Sequence, residues 1–216
     1  MTSSSFHYSM DISVLSVRLG EFDTSNDTEI PAHEDFAARR IIIHKNYKPH
    51  PDPENDIAVI QLNTSVSFKS HIIPICLPES GVNFQNQEAF VSGWGMTSNS
   101  KRNQGKLQSG RVEVVPNAEC ATRFETQNET IANSELCAVA NSSSICLGDS
   151  GAPLVVRRNG QAVLIGLASG IYEDCEVPQQ LAVYANVSTL MPWIRANTDR
   201  NEAELTATPF TGYYTA

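Results

Sequence analysis

Short apolar runs broken by Gly, Pro, Ser and Asn alternate with polar stretches along the chain. Arg40-Ile41-Ile42-Ile43 and Arg111-Val112-Glu113-Val114-Val115 are β-branched runs of this kind. Asn55-Asp56-Ile57-Ala58-Val59-Ile60-Gln61-Leu62 alternates apolar and polar in its second half, the mark of a half-buried strand with Asp56 at its edge. Many short strands at short intervals predict an all-β barrel or sandwich. Met96 to Lys106 is polar and unpatterned, which predicts a surface loop open to proteolysis. The stretch after Ala196, ending Thr211-Gly212-Tyr213-Tyr214, has no periodicity and reads as a disordered tail over 197–216. There is no internal repeat and no phosphate-binding glycine loop.

Charge narrows the partners. With 24 acidic and 15 basic residues the net charge is −9, which disfavours binding to nucleic acid or to an anionic membrane. A hydrophobic content of 41% over 216 residues suffices for one domain or two small barrels. The longest apolar run, around Ala162 to Ala168, is far short of a membrane span. Met1-Thr2-Ser3-Ser4-Ser5 lacks the apolar stretch of a signal peptide. Asn-x-Ser/Thr sequences nevertheless begin at Asn26, Asn63, Asn128, Asn141 and Asn186, each an acceptor for glycan in a secretory pathway.

The candidate chemistry sits in Gly148-Asp149-Ser150-Gly151, between Cys146 and Pro153. A serine hydroxyl is a weak nucleophile that needs a general base and backbone N–H donors for the developing oxyanion. Gly148, without a Cβ, can turn its amide toward a reacting carbonyl, and the amide of Ser150 can point the same way. Asp56 can orient an imidazole and stabilise its protonated form. Taken singly, the tetrapeptide is a common turn and Asp56 a common turn acid. Asp56 and Ser150 lie 94 residues apart (56 to 150), close to the acid-to-nucleophile separation of the chymotrypsin template.

From about Val17 to Ile194 the chain resembles the chymotrypsin-like, trypsin-fold serine proteases. The resemblance is carried by Val17-Arg18-Leu19-Gly20-Glu21-Phe22-Asp23, Ile73-Pro74-Ile75-Cys76-Leu77-Pro78, Ser92-Gly93-Trp94-Gly95, the Ser150 loop and Pro192-Trp193-Ile194-Arg195. The first and second of these segments look most like arthropod clip-domain proteases. The implied fold is a double six-stranded β-barrel with a short C-terminal helix, the first barrel incomplete at its N-terminal strands. The protease domain would span 1–196. The implied activity is serine endopeptidase, with Ser150 as nucleophile, Asp56 as orienter, the Gly148 and Ser150 amides as oxyanion hole, and proteins or peptides as substrates. No cofactor is implied.

The resemblance also assigns the cysteines. Cys120 matches Cys137 and Cys146 matches Cys175 as disulfides, the latter closing a 29-residue loop (146 to 175) worth about 3–4 kcal/mol. Cys76 is left over, at a position that in the family tethers a light chain or clip domain; a buried free thiol is the alternative. Such use of cysteine implies an extracellular protein. The cysteines are engaged and the histidines lack ligand spacing, so no metal site is expected. Glu21, Asp23 and Glu29 match a loop that holds Ca²⁺ in some relatives, though a solvated acidic loop is the simpler reading.

The chain departs from the family most sharply at the histidine. No Thr-Ala-Ala-His-Cys-like segment precedes Asp56. His33, His44, His50 and His71 read as solvated or structural; His7, flanked by Phe6 and Tyr8, has the wrong context for a base. The N-terminal ammonium that would pair with Asp149 is likewise missing, which implies a zymogen-like nucleophile loop. In the pocket, Ser144 matches the floor position where trypsin-like members carry an aspartate, removing the ion pair that selects Arg or Lys. Ser169 stands where a tryptophan shelf is usual, Gly170 at an open wall and Ala182 at a wall glycine, while Ala152 replaces a second glycine. Two readings remain open. One is an endopeptidase whose chain as given lacks its base; the other is a non-catalytic homologue acting as a binding cofactor in an extracellular cascade.

Overall fold

A computed structural model of the chain describes residues 12–49, 53–98, 105–124, 131–140, 145–171, 175 and 179–199. After a short helical turn at Ile12–Val14, β1 (Ser16–Leu19), β2 (Glu34–Ile43) and β3 (Ala58–Leu62) form a three-stranded antiparallel sheet in the order β1-β2-β3. Then come β4 (Glu88–Gly93), β5 (Gln108–Val115), α1 (Asn117–Phe124), β6 (Glu135–Ala140), β7 (Pro153–Arg158), β8 (Gln161–Ile171) and β9 (Leu181–Asn186). These six strands close into a barrel in the order β4-β5-β6-β9-β8-β7, and α2 (Val187–Thr198) follows directly. The fold is therefore mostly β with one closed barrel, as the sequence predicts.

Alternation builds the barrel interior. Ala89 and Val91 of β4, Val112 and Val114 of β5, and Leu154 and Val156 of β7 are buried, while the adjacent Arg111, Glu113 and Arg157 are exposed. Strands β6 and β9 break the rule because both their faces are covered. Leu136, Ala138, Ala182 and Tyr184 point into the barrel, whereas Cys137, Val139, Leu181 and Val183 pack with Cys120 of α1. The Cys120–Cys137 disulfide pins that helix to the strand. Neither α1 nor β6 follows from the alternation argument, since a strand buried on both faces has no period-two signal to read.

Helix α2 covers the outside of β8 and β9. Asn186 caps it, its side chain accepting from the Thr189 N–H, and Leu190, Met191 and Ile194 are buried with Ile57. The helix runs to Thr198, so the boundary set at 196 falls two residues inside it; the remaining tail from residue 200 lies outside the described residues. Among the described residues, Ile57 alone from the β1–β3 half joins one of the three buried clusters. Among the described residues, the first half is a three-stranded sheet, with Phe36, Ala38 and Ile72 also buried.

Candidate active site

Asp56 precedes β3 in a turn fixed on both sides. Asn55 has φ 53°, in the left-handed region that asparagine tolerates. Its N–H donates to Ser134 Oγ at 3.0 Å and its side-chain amide to the Asn46 carbonyl at 3.1 Å. Ile57 enters the cluster beneath α2. The carboxylate between them accepts a hydrogen bond at 2.8 Å from Ser169 Oγ, 113 residues away on β8. Asp56 is thereby aimed by contacts from both halves of the fold.

The Ser169 contact is one that the sequence reading did not foresee. Expected at the pocket shelf in place of a tryptophan, Ser169 turns its hydroxyl to Asp56. The cause lies in the β8–β9 register, which shifts between Ala168 (opposite Tyr184) and Gly170 (opposite Val183), leaving Ser169 as the extra residue of a bulge. A bulge re-aims a side chain that regular pleating would direct elsewhere. Gly170 and Ile171 then continue the strand opposite Val183 and Ala182. Ala182 is fully buried in the barrel core, and Ala152 is buried there too. Ser144 lies outside the described residues.

The nucleophile loop alternates engaged and free amides. The Asp149 N–H donates to the Cys146 carbonyl at 3.0 Å, Gly151 to Ala168 at 2.7 Å and Ala152 to Asp149 at 2.8 Å. Among the described residues, the N–H groups of Gly148 and Ser150 have no backbone partner. Gly148 has φ 93°, a conformation open to glycine, and Ser150 is exposed. Two free donors flanking an accessible hydroxyl are what an oxyanion site requires.

Asp149 points away from that opening. Its Oδ1 accepts from the Gly95 N–H at 2.8 Å and its Oδ2 from the Cys146 N–H at 3.0 Å. The carboxylate lies so close over Gly93 and Gly95 that a Cβ on either would fall at 2.0 or 2.4 Å from its atoms. Backbone amides thus compensate the half-buried charge that the sequence reading left without a partner. The glycines of Ser92-Gly93-Trp94-Gly95 have their physical reason here, which the sequence did not reveal.

The described histidines are occupied elsewhere. His33 Nδ1 meets Glu21 Oε2 at 3.1 Å, His71 Nε2 meets the Ala32 carbonyl at 3.1 Å, and the His44 ring packs tilted by 51° against Trp193, centroids 5.0 Å apart, while the Asn46 N–H donates to its Nδ1. Burial, with the neighbouring Lys45 charge, holds the His44 pKa below its ordinary value. His7 and His50 lie outside the described residues. The acidic loop is also committed: Glu21 to Arg18 and His33, Asp23 to Ser25, and Glu29 to the amides of Phe22 and Asp23. Both expected disulfides form, and Cys76 is unpaired, its backbone bridged to Ala162 and Leu164 beside β8.

The Trypsin family model matches residues 6–194. The chain is 37% identical over 186 residues to "Serine protease filzig" of Drosophila melanogaster, covering 83% of this chain and 11% of the relative. It is 32% identical to "CLIP domain-containing serine protease B4" of Anopheles gambiae, covering 84% and 53%, and 32% identical to "CLIP domain-containing serine protease HP8" of Bombyx mori, covering 82% and 52%. The chain therefore spans about half or less of the length of these relatives.

Proposed function

Because this chain belongs to the trypsin family of serine proteases, we propose that it carries the nucleophile half of an extracellular serine endopeptidase site. The observation that carries this reading is that the N–H groups of Gly148 and Ser150 have no backbone partner among the described residues, beside the exposed Ser150. In this reading Ser150 Oγ attacks the scissile carbonyl and the two amides hold the oxyanion. Asp56, held by Ser169, orients the imidazole that takes the serine proton. Substrates are proteins or peptides. By the family resemblance the pocket floor falls at Ser144, which carries no charge, with Gly170 at the wall, and such a pocket prefers apolar side chains over Arg or Lys; Ala182, buried in the barrel core, does not line it. Cys76 is the tether for a light chain or clip domain, and the two intrachain disulfides suit an oxidising compartment.

His33, His44 and His71 are all held by other partners. This supports a second reading for residues 1–216 on their own: a non-catalytic homologue that binds within a proteolytic cascade. Treatment of the folded 1–216 protein with a fluorophosphonate probe should give no label at Ser150. Stoichiometric labelling that a His7→Ala change abolishes would refute inactivity and make His7 the base. Fusing residues 12–199 behind the N-terminal portion of the Anopheles relative's protease domain, followed by activation cleavage, separates the two readings. Labelling that vanishes in Ser150→Ala supports the endopeptidase; a folded, cleaved and unreactive fusion supports the homologue.

A further inference from the structure

Two of the Asn-x-Ser/Thr sequences have opposite geometries. At Asn26-Asp27-Thr28, the Thr28 N–H and hydroxyl both donate to Asn26 Oδ1, at 3.0 and 2.7 Å. Asn26 is exposed, and among the described residues its Nδ2 has no partner. At Asn186-Val187-Ser188 the hydroxyl faces the other way. Ser188 Oγ donates to the Val82 carbonyl at 2.9 Å and to that of Glu79 at 3.3 Å, Val187 and Ser188 are each 1% exposed, and Asn186 Oδ1 caps α2 through the Thr189 N–H. Asn63, directly after β3, is exposed together with Thr64 and Ser65.

We propose that Asn26 is an N-linked glycan acceptor, with Asn63 a second, and that Asn186 stays unmodified although its tripeptide has the same form. An amide nitrogen is a poor nucleophile because its lone pair is delocalised into the carbonyl. Two donors on Oδ1 stabilise the negative charge that gathers there as Nδ2 releases a proton, which localises the lone pair on nitrogen. That lone pair forms a bond to C1 of a sugar carried on a lipid diphosphate. The C1–O bond breaks, and the diphosphate leaves with its electrons and takes up the proton that Nδ2 released. At Asn26 the +2 hydroxyl already serves Oδ1, and a glycan there projects into solvent. At Asn186 the hydroxyl is engaged between the barrel and residues 79–82, and a glycan would displace the α2 cap and open buried Ser188.

The proposal rests on the extracellular reading above, but its test does not. Met1–Ala216 is expressed behind a cleavable secretory leader in insect cells, and both the secreted and the membrane-enclosed cell fractions are collected. Glycan is removed enzymatically in ¹⁸O water, which converts each occupied Asn to a mass-marked Asp, and the peptides are mapped. Asn26 and Asn63 should carry the mark, Asn186 should not, and Thr28→Ala should erase the Asn26 mark while Thr28→Ser retains it. An unmarked Asn26 beside any other marked site, a marked Asn186 in the secreted fraction, or no mark anywhere would overturn the proposal. Because the leader forces entry to the pathway, native intracellular residence would refute the extracellular reading alone.

Discussion

Gly93→Ala tests the packing that sets the nucleophile loop. The new methyl would sit 2.0 Å from Asp149 Oδ1 and 2.9 Å from its Cγ, so the carboxylate must move by more than an ångström. Such a shift breaks both amide hydrogen bonds, from Gly95 at 2.8 Å and Cys146 at 3.0 Å. Hydrogen bonds to a charged group contribute about 1.5–3 kcal/mol each, and water recovers part of that at this half-buried site, leaving a loss of about 3 kcal/mol. For a chain of this length the melting temperature should fall by roughly 6–12 °C. Asp149→Ala should lose a similar amount by stranding the same two donors. In that background the nearest atom to the Gly93 methyl is the residue-149 Cβ, at an ordinary 3.6 Å, so the double variant should match Asp149→Ala within about 0.5 kcal/mol. Urea unfolding of the four proteins measures the cycle. If Gly93→Ala destabilises equally with and without the carboxylate, the clash is not with Asp149 and the account of the glycine is wrong.

Two further outcomes follow from named contacts. Ser169→Ala removes a 2.8 Å donor to a carboxylate at the junction of the two halves and should lower stability by about 1–2 kcal/mol in urea, with Ser169→Thr restoring most of it; an unchanged midpoint would mean that the contact holds nothing. Burial lowers the His44 pKa below its ordinary 6.5, so the unfolded chain takes up a proton first. Its contribution to stability is full above about pH 6.5 and is lost as pH falls through the lowered folded value; stability measured from pH 7.5 to 5 should decline less steeply in His44→Gln.

The sequence by itself determined the parts of this protein that local chemistry specifies. Strand β5, whose Arg111-Val112-Glu113-Val114 alternates polar and apolar residues, shows its buried face, and the Gly148–Gly151 turn shows its nucleophile setting because the residues that make it are adjacent. The disulfide pairs and the trypsin-like fold were legible through family resemblance. Tertiary structure decided what depends on residues far apart in the chain. Strand β6 is buried on both faces only because α1 and its disulfide cover the outside, so its pattern carries no period. Ser169 reaches Asp56 across 113 residues because a one-residue bulge in β8 turns it, and no count along the sequence reports a bulge. The partners of Asp149 are backbone amides at Gly95 and Cys146, groups that every residue but proline carries, so their selection is a property of the folded path alone.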